Sequence, residues 1–340
     1  MDSNRRKFLQ QTGAGIATLG LGSLSVPAFA AKGATTKVRL GYLHTIAVDG
    51  QLWIGQHFGF FKKHGVEFEL HRFVTGLELF QAMIGGSIDM LTTGAVISNF
   101  PARGQGKMFL VNDIEYATAQ LWVHTNAGIH SLKDLVGKTI ATTTGTTAHV
   151  FLDTALRKNG IDPSSVKVVN QRMSDAVASF ISGAVPAVAL WVPFNITVRE
   201  KVKDAKMLID ASSFYPDAAI VDGWAAGNSY FEKNKPVLKK IILGWAEAND
   251  YMVNHTDKAL ELIQKHWYSE VPLKDLKEMY KDEKVFTSKE WCKYYADGTV
   301  TKWLNQVSDF FIKFAKIQNP VHADQYFDPK IYLETIKECA

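Results

Sequence analysis

The sequence predicts an α/β fold made of two doubly wound α/β lobes joined by a two-segment hinge, with a helical C-terminal region. Three observations predict it. Strand-like and helix-like stretches alternate in two successive series, first over residues 38–111 and then over 131–191. Alternation of that kind builds doubly wound, largely parallel sheets. Two further segments, Ala117–His124 (ATAQLWVH) and Phe214–Ala226 (FYPDAAIVDGWAA), look like crossovers between the two series. From Lys235 onward, apolar residues recur at helical spacing: Leu238, Ile241, Ile242, Trp245 and Met252 trace one stripe, Trp303, Val307, Phe310, Phe311 and Phe314 another.

In the first series, Val38–Leu43 reads as a buried strand. A helix follows from Asp49 to His64, with Ile54, Phe58 and Phe61 on one face and Gly65 as its stop. Val66, Phe68 and Leu70 alternate with Glu67, Glu69 and His71, the pattern of a half-buried strand. Leu77–Ile84 is a helix ended by Gly85-Gly86, Ile88–Leu91 a short strand, Gly94–Arg103 a helix and Met108–Val111 a strand. In the second series, Ser131–Leu135 is a short helix and Thr139–Thr143 a strand. Thr146–Asn159 is a helix closed by Gly160, Val166–Val169 a strand, Ser174–Ser182 a helix closed by Gly183, and Ala187–Trp191 a strand.

Ligands of open α/β sheets gather at the carboxyl ends of strands, beside helix N-termini. Four strand-to-helix corners meet that description: His44–Gln51, Thr92–Val96, Thr142–His149 and Asn170–Ser174. A helix start leaves backbone N–H groups unpaired and carries partial positive charge. Small hydroxyl residues and glycines let an anion reach those groups. The candidate binding residues are therefore His44, Thr93, Gly94, Ala95, Gly145, Thr146, Thr147 and His149. Thr and Gly also serve as ordinary caps, so capping alone is the competing reading at each corner. The third corner goes furthest beyond a cap, with five threonines around Gly145. Arg172 is a candidate anion partner or a solvated side chain. Trp191, at a strand end, and Trp224, in a crossover, are candidate aromatic walls or core residues. Asp222 lies inside the apolar run Ile220–Trp224. A buried carboxylate needs compensation, so it either caps local N–H groups or faces a polar partner.

The N-terminus carries Arg5-Arg6, a weakly apolar run broken by glycines and serines, and Ala28-Phe29-Ala30. A membrane span needs about 20 consecutive apolar residues, and this run is not one. The order of basic, mildly apolar and small residues is that of a signal peptide, here resembling the twin-arginine type. Cleavage is expected after Ala30, giving a periplasmic mature chain of residues 31–340. The full chain has 38 Lys+Arg against 34 Asp+Glu, a net charge of +4. Losing Asp2, Arg5, Arg6 and Lys7 with the signal brings it near +2, which is no nucleic-acid footprint. Cys292 and Cys339 are the only cysteines; they either pair in an oxidising compartment or remain separate thiols. Without a Cys/His cluster, no zinc or redox centre is expected. No catalytic residue is expected either: the chain has no G-x-S-x-G, no P-loop and no dinucleotide glycine fingerprint outside the signal. The expectation is a chain that is not an enzyme, carries no cofactor and acts as a monomer.

The ordered motifs resemble one family. They are GYL at Gly41–Leu43, HFGFFKKHGVEFEL at His57–Leu70, FVTGLELFQAMIGGSIDMLTTG at Phe73–Gly94 and SLKDLVGKTIAT at Ser131–Thr142. They continue with ALRKNGIDPSSVKVVN at Ala155–Asn170, AVASFISGAVPAVALWVPF at Ala176–Phe194 and NSYFEKNKPVLKKIILGW at Asn228–Trp245. Together they resemble the periplasmic substrate-binding proteins of the nitrate/sulfonate/taurine class that serve ABC importers. The resemblance implies a type II periplasmic-binding-protein fold, with residues 36–119 and 220–340 in lobe 1 and 120–219 in lobe 2. It implies a small organic anion between the lobes and an ABC permease as partner. By the same resemblance Asp222 would meet a ligand ammonium, and Thr93-Gly94 with Thr146-Thr147 a sulfonate. The chain departs from the family where "G-x-x-D-A" reads Gly183-Ala184-Val185-Pro186-Ala187, without the acidic residue, and where Val192 fills a place often polar. A pyrimidine-precursor synthase family shares the fold, but its cysteine-rich motif has no counterpart here.

Overall fold

The computed structural model describes residues 35–339; the signal-peptide reading lies outside them. Two mixed five-stranded sheets organise the chain. The first has the order β2-β1-β3-β10-β4, where β1 is Thr36–Tyr42, β2 Val66–Arg72, β3 Met90–Thr93, β4 Lys107–Ile114 and β10 Val221–Ala226. The second has the order β7-β6-β8-β5-β9, where β5 is Ala119–His124, β6 Thr139–Thr142, β7 Lys167–Asn170, β8 Ala187–Trp191 and β9 Ala205–Asp210. The chain leaves the first sheet after β4 and returns to it in β10, so the two expected crossovers are themselves strand-forming.

That return changes the expected parallel sheets. β10 runs antiparallel to both β3 and β4, and β5 antiparallel to both β8 and β9. A strand that arrives from the other lobe enters its sheet from the hinge end, so it must run against the strands that begin at the far end. Only β1 with β2 and β3, and β6 with β7 and β8, keep the parallel pairing of strand–helix–strand units. The expected helix Gly94–Arg103 is instead two 3-10 turns, Ala95–Ser98 and Pro101–Arg103. Pro101 has no N–H for a continuing helix and crowds the preceding turn.

Each sheet has its own hydrophobic core. The first gathers Trp53, Phe61, Phe80, Phe109, Trp224 and Trp245, and the second Leu121, Phe151, Leu152, Phe180 and Leu190. The helix Thr299–Phe314 serves both: Val300, Trp303 and Leu304 pack in the first core, Val307, Phe310 and Phe311 in the second. Cys292 and Cys339 form a disulfide that ties the helix Ser288–Ala296 to the end of the described chain. Among the described residues no helix is long and apolar enough to cross a membrane.

Candidate ligand-binding cleft

A cavity of about 410 Å³ lies between the two sheets. It is built from strand ends and helix starts of both. At the first corner, β1 passes through Leu43-His44-Thr45 into the helix Ile46–Phe58. Asp49 in the first turn of that helix is fully buried and holds the loop. Its carboxylate accepts the N–H groups of Leu43, His44 and Thr45 at 3.2, 2.7 and 3.2 Å and the Thr92 hydroxyl at 2.6 Å. Burial still pushes it up to about 6. The clamp keeps His44 at φ 64°, an uncommon conformation for a side chain with a Cβ. The His44 ring pairs Glu270 through Nε2 at 2.9 Å and sits edge-on to Trp53 and Tyr268.

At the second corner, β3 ends in Thr93-Gly94. A Cβ on Gly94 would stand 2.5 Å from Glu115 Oε1 and 2.9 Å from Thr147 Oγ1. Glycine here lets two side chains from different lobes meet. The Ala95 N–H donates to Thr147 Oγ1 at 3.2 Å, and the Thr147 hydroxyl donates to Glu115 Oε1 at 3.0 Å. Glu115 is 4% exposed, and burial pushes its carboxyl up to about 7, partly offset by the hydroxyls of Thr147 and Thr118.

At the third corner the threonines divide their tasks. Thr143 Oγ1 donates to the Gln171 carbonyl at 2.8 Å and Thr146 Oγ1 to the Thr143 carbonyl at 2.7 Å, which shapes the loop. Gly145 turns the chain at φ 76°, and its N–H donates to His149 Nδ1 at 3.1 Å. At the fourth, Arg172 precedes the helix Met173–Ile181 and lies 3.9 Å from Glu78.

Four helices that open onto this cavity start without a side-chain cap: Ile46–Phe58 after Thr45, Thr147–Lys158 after Thr146, Met173–Ile181 after Arg172 and Phe194–Lys201 after Pro193. Only the helix Gly76–Ile84 is capped, by Thr75 accepting the Glu78 N–H. Uncapped starts leave donors for something else, and their dipoles favour negative charge. Arg72 and Arg172 add cationic lining, while Phe73, Trp191, Phe194 and Tyr268 add aromatic faces.

Of the residues expected at the site, His44, Thr93, Gly94, Thr146, Thr147, Arg172 and Trp191 line the cavity. Five do not, and each has a physical reason. Asp222 is 0% exposed near the start of β10, with the Asp113 N–H donating to it at 3.3 Å. Burial, then the nearby Asp113 and Glu115, push it well above the carboxylate range. Trp224 is buried in the first core against Phe61 and Phe68, donating to Asn112 Oδ1 at 2.8 Å. His149 stands edge-on to Phe310 and Phe314, and burial lowers it to about 4, so it is neutral. Gly145 serves the turn, and Ala95 is buried in the second core and offers its N–H to Thr147. Glu115, Arg72, Thr75-Gly76, Phe194, Tyr268 and Glu270 were not anticipated. Glu115 had a signal: the polar residues Asn112, Asp113 and Glu115 end an otherwise apolar strand.

The two-lobed architecture with an interlobe cavity defines the class: the fold is that of periplasmic solute-binding proteins. The chain belongs to the NMT1/THI5-like family, whose model matches residues 50–259. Relatives agree with that placement. A candidate binding protein of Brucella abortus (strain 2308) is 28% identical over 85% of this chain and 89% of its own. The taurine-binding periplasmic protein of Escherichia coli (strain K12) is 25% identical over 58% of this chain and 61% of its own. Among solved structures, the alkanesulfonate-binding protein SsuA from Xanthomonas axonopodis pv. citri, bound to MOPS, has a TM-score of 0.70 at 16% identity, covering 87% of this chain and 99% of that one. The desulfurization enzyme DSZB shares the fold at a TM-score of 0.60 and 13% identity, covering 88% and 98%. The fold therefore also carries catalysts, and function rests on the site.

Proposed function

We propose that this chain is an extracytoplasmic solute-binding protein that captures a small organic anion between its lobes and delivers it to an ABC permease. The observation that carries the reading is the convergence of four uncapped helix starts, drawn from both lobes, on one cavity of about 410 Å³. Such donors hold an anion without a neutralising lysine. The anionic group would sit on Thr93-Gly94 and Thr146-Thr147, and the aromatic lining suits an organic body. Capture draws the lobes together, and the closed surface is what a permease reads. The twin-arginine-type signal would carry the chain to the periplasm. The relatives named for taurine and sulfonates support this class of solute.

Isothermal titration of the purified chain against organosulfonates, small carboxylates and nitrate tests the reading. Saturable binding of at least one class, lost in a Thr146→Ala/Thr147→Ala variant, is the expected outcome. Failure of every small anion to bind would overturn it.

A further inference from the structure

The cavity that would hold an anion also contains a buried carboxylate. Glu115 lines it directly beneath Gly94 and beside Thr147, the same residues that would receive the anionic group. Its partners are neutral: the hydroxyls of Thr147 at 3.0 Å and Thr118 at 3.2 Å, and the backbone N–H of Ala95. Among the described residues no lysine, arginine or histidine pairs with it. Its neighbours on β4, β10 and the turn after the helix Leu273–Lys281 are more carboxyls: Asp113, Asp222 and Glu283. Inside the cleft, the side chains that bring positive charge are Arg72 and Arg172, the latter shared with Glu78, and a His44 that burial holds toward its neutral form.

An ionised Glu115 would face a simple anion placed on Thr93-Gly94 and Thr147 directly, so such an anion is held only while the carboxyl keeps its proton. Like charges at such range repel strongly. A solute that brings its own donor removes the conflict. The carboxyl is already desolvated by the fold, so an ammonium beside it favours the ionised form at the cost of releasing its proton, with no further burial of the protein group.

We propose that Glu115 is a specificity-determining residue that reads a cationic N–H group on the solute, so that the bound molecule is a small organic zwitterion: an anionic head on the helix starts and an ammonium or amidinium on Glu115. This rests on the solute-binding reading above. It also relocates the cation-reading role from Asp222, which the fold buries in the first sheet, to Glu115, a cleft carboxyl with no basic side chain paired to it.

The test uses matched pairs that differ only in the amine: 2-aminoethanesulfonate against ethanesulfonate, 4-aminobutanoate against butanoate, and 4-(aminomethyl)benzoate against 4-methylbenzoate. In at least one pair the amine-bearing member is expected to bind about 100-fold tighter. Glu115→Gln should erase that preference, so that the two members of each pair bind with similar affinity. A second readout needs no variant. Titrated at pH 6 in buffers of different ionisation enthalpy, the amine-bearing member should release a proton, because pairing ionises a Glu115 that is protonated in the free protein. Tighter binding of the amine-free members, with proton uptake, would overturn the proposal and leave anion capture standing, with Glu115 acting as a neutral donor. Absence of binding by both members of every pair, together with every other anion, would remove the solute-binding reading and this inference with it.

Discussion

Gly94 sits where two lobes and one cavity meet, and its missing side chain is what the arrangement requires. An added methyl would collide with the Glu115 carboxylate and the Thr147 hydroxyl at 2.5 and 2.9 Å. One of them must retreat, and the Ala95–Thr147–Glu115 chain of hydrogen bonds breaks with it. Gly94→Ala is therefore expected to weaken solute binding by about tenfold or more, since each lost bond to a charged group is worth roughly 1.5–3 kcal/mol. Titration calorimetry reads the loss, and an unchanged affinity would mean the contact is incidental. Glu115 also sets a pH dependence. Its ordinary value is 4.5 and burial raises it to about 7. Between those values the folded chain holds the extra proton, so its contribution to stability is full below pH 4.5 and is lost as pH rises through 7. Glutamine imitates the protonated form throughout. Glu115→Gln should thus gain on the order of 2 kcal/mol of stability relative to wild type between pH 5 and pH 8. Taking the difference between the two proteins cancels the opposite trend from His149, which is lowered to about 4 and costs stability as pH falls below 6.5. Urea denaturation at the two pH values measures it.

Among the elements, helix starts and strand ends carry the chemistry, and most were legible from residue pattern. The strand Ala187–Trp191 falls as expected, and the helices near Leu77–Ile84 and Thr146–Asn159 differ only by a residue or two at their ends. Alternation and glycine stops are local signals, so they survive without knowledge of the fold. The crossovers were less legible, because a segment that joins β10 to both β3 and β4 is defined by partners far away in the chain. The same limit applied to the cysteines: their pairing closes a separation of 47 residues that no local pattern reveals. A loop of that length is worth about 4 kcal/mol in the chain-entropy account. Replacing both cysteines by serine should lower unfolding stability by roughly 2–4 kcal/mol. It should leave solute affinity unchanged, since neither cysteine lines the cavity. A denaturation series alongside a binding titration checks both halves, and a fall in affinity would show that the C-terminal tie shapes the cleft.

Across the whole molecule, the two lobes are joined by more than their crossovers. The helix Thr299–Phe314 packs into both cores, and Arg199 reaches from the second lobe to Glu278 in a two-pronged ion pair at 2.6 and 3.3 Å. Both partners are half-exposed, so the pair contributes about 0.5–1 kcal/mol and is screened by salt. Arg199→Glu is expected to weaken solute binding a few-fold by favouring lobe opening, and adding Glu278→Arg should restore it. The effect should fade in about 1 M salt; persistence there would point to packing rather than charge.

The alternating elements, the helical C-terminal region, the glycine- and threonine-rich corners and the family resemblance are all legible locally, because each is written in neighbouring residues. Long-range packing settles which corners share a cavity, that Asp222 and Trp224 turn inward while Glu115 faces the cleft, and that the two cysteines meet. In a strand the side chains alternate faces, and which face becomes core depends on the sheet that strand joins. That choice is made by contacts between residues more than a hundred positions apart, and no stretch of sequence holds both partners at once.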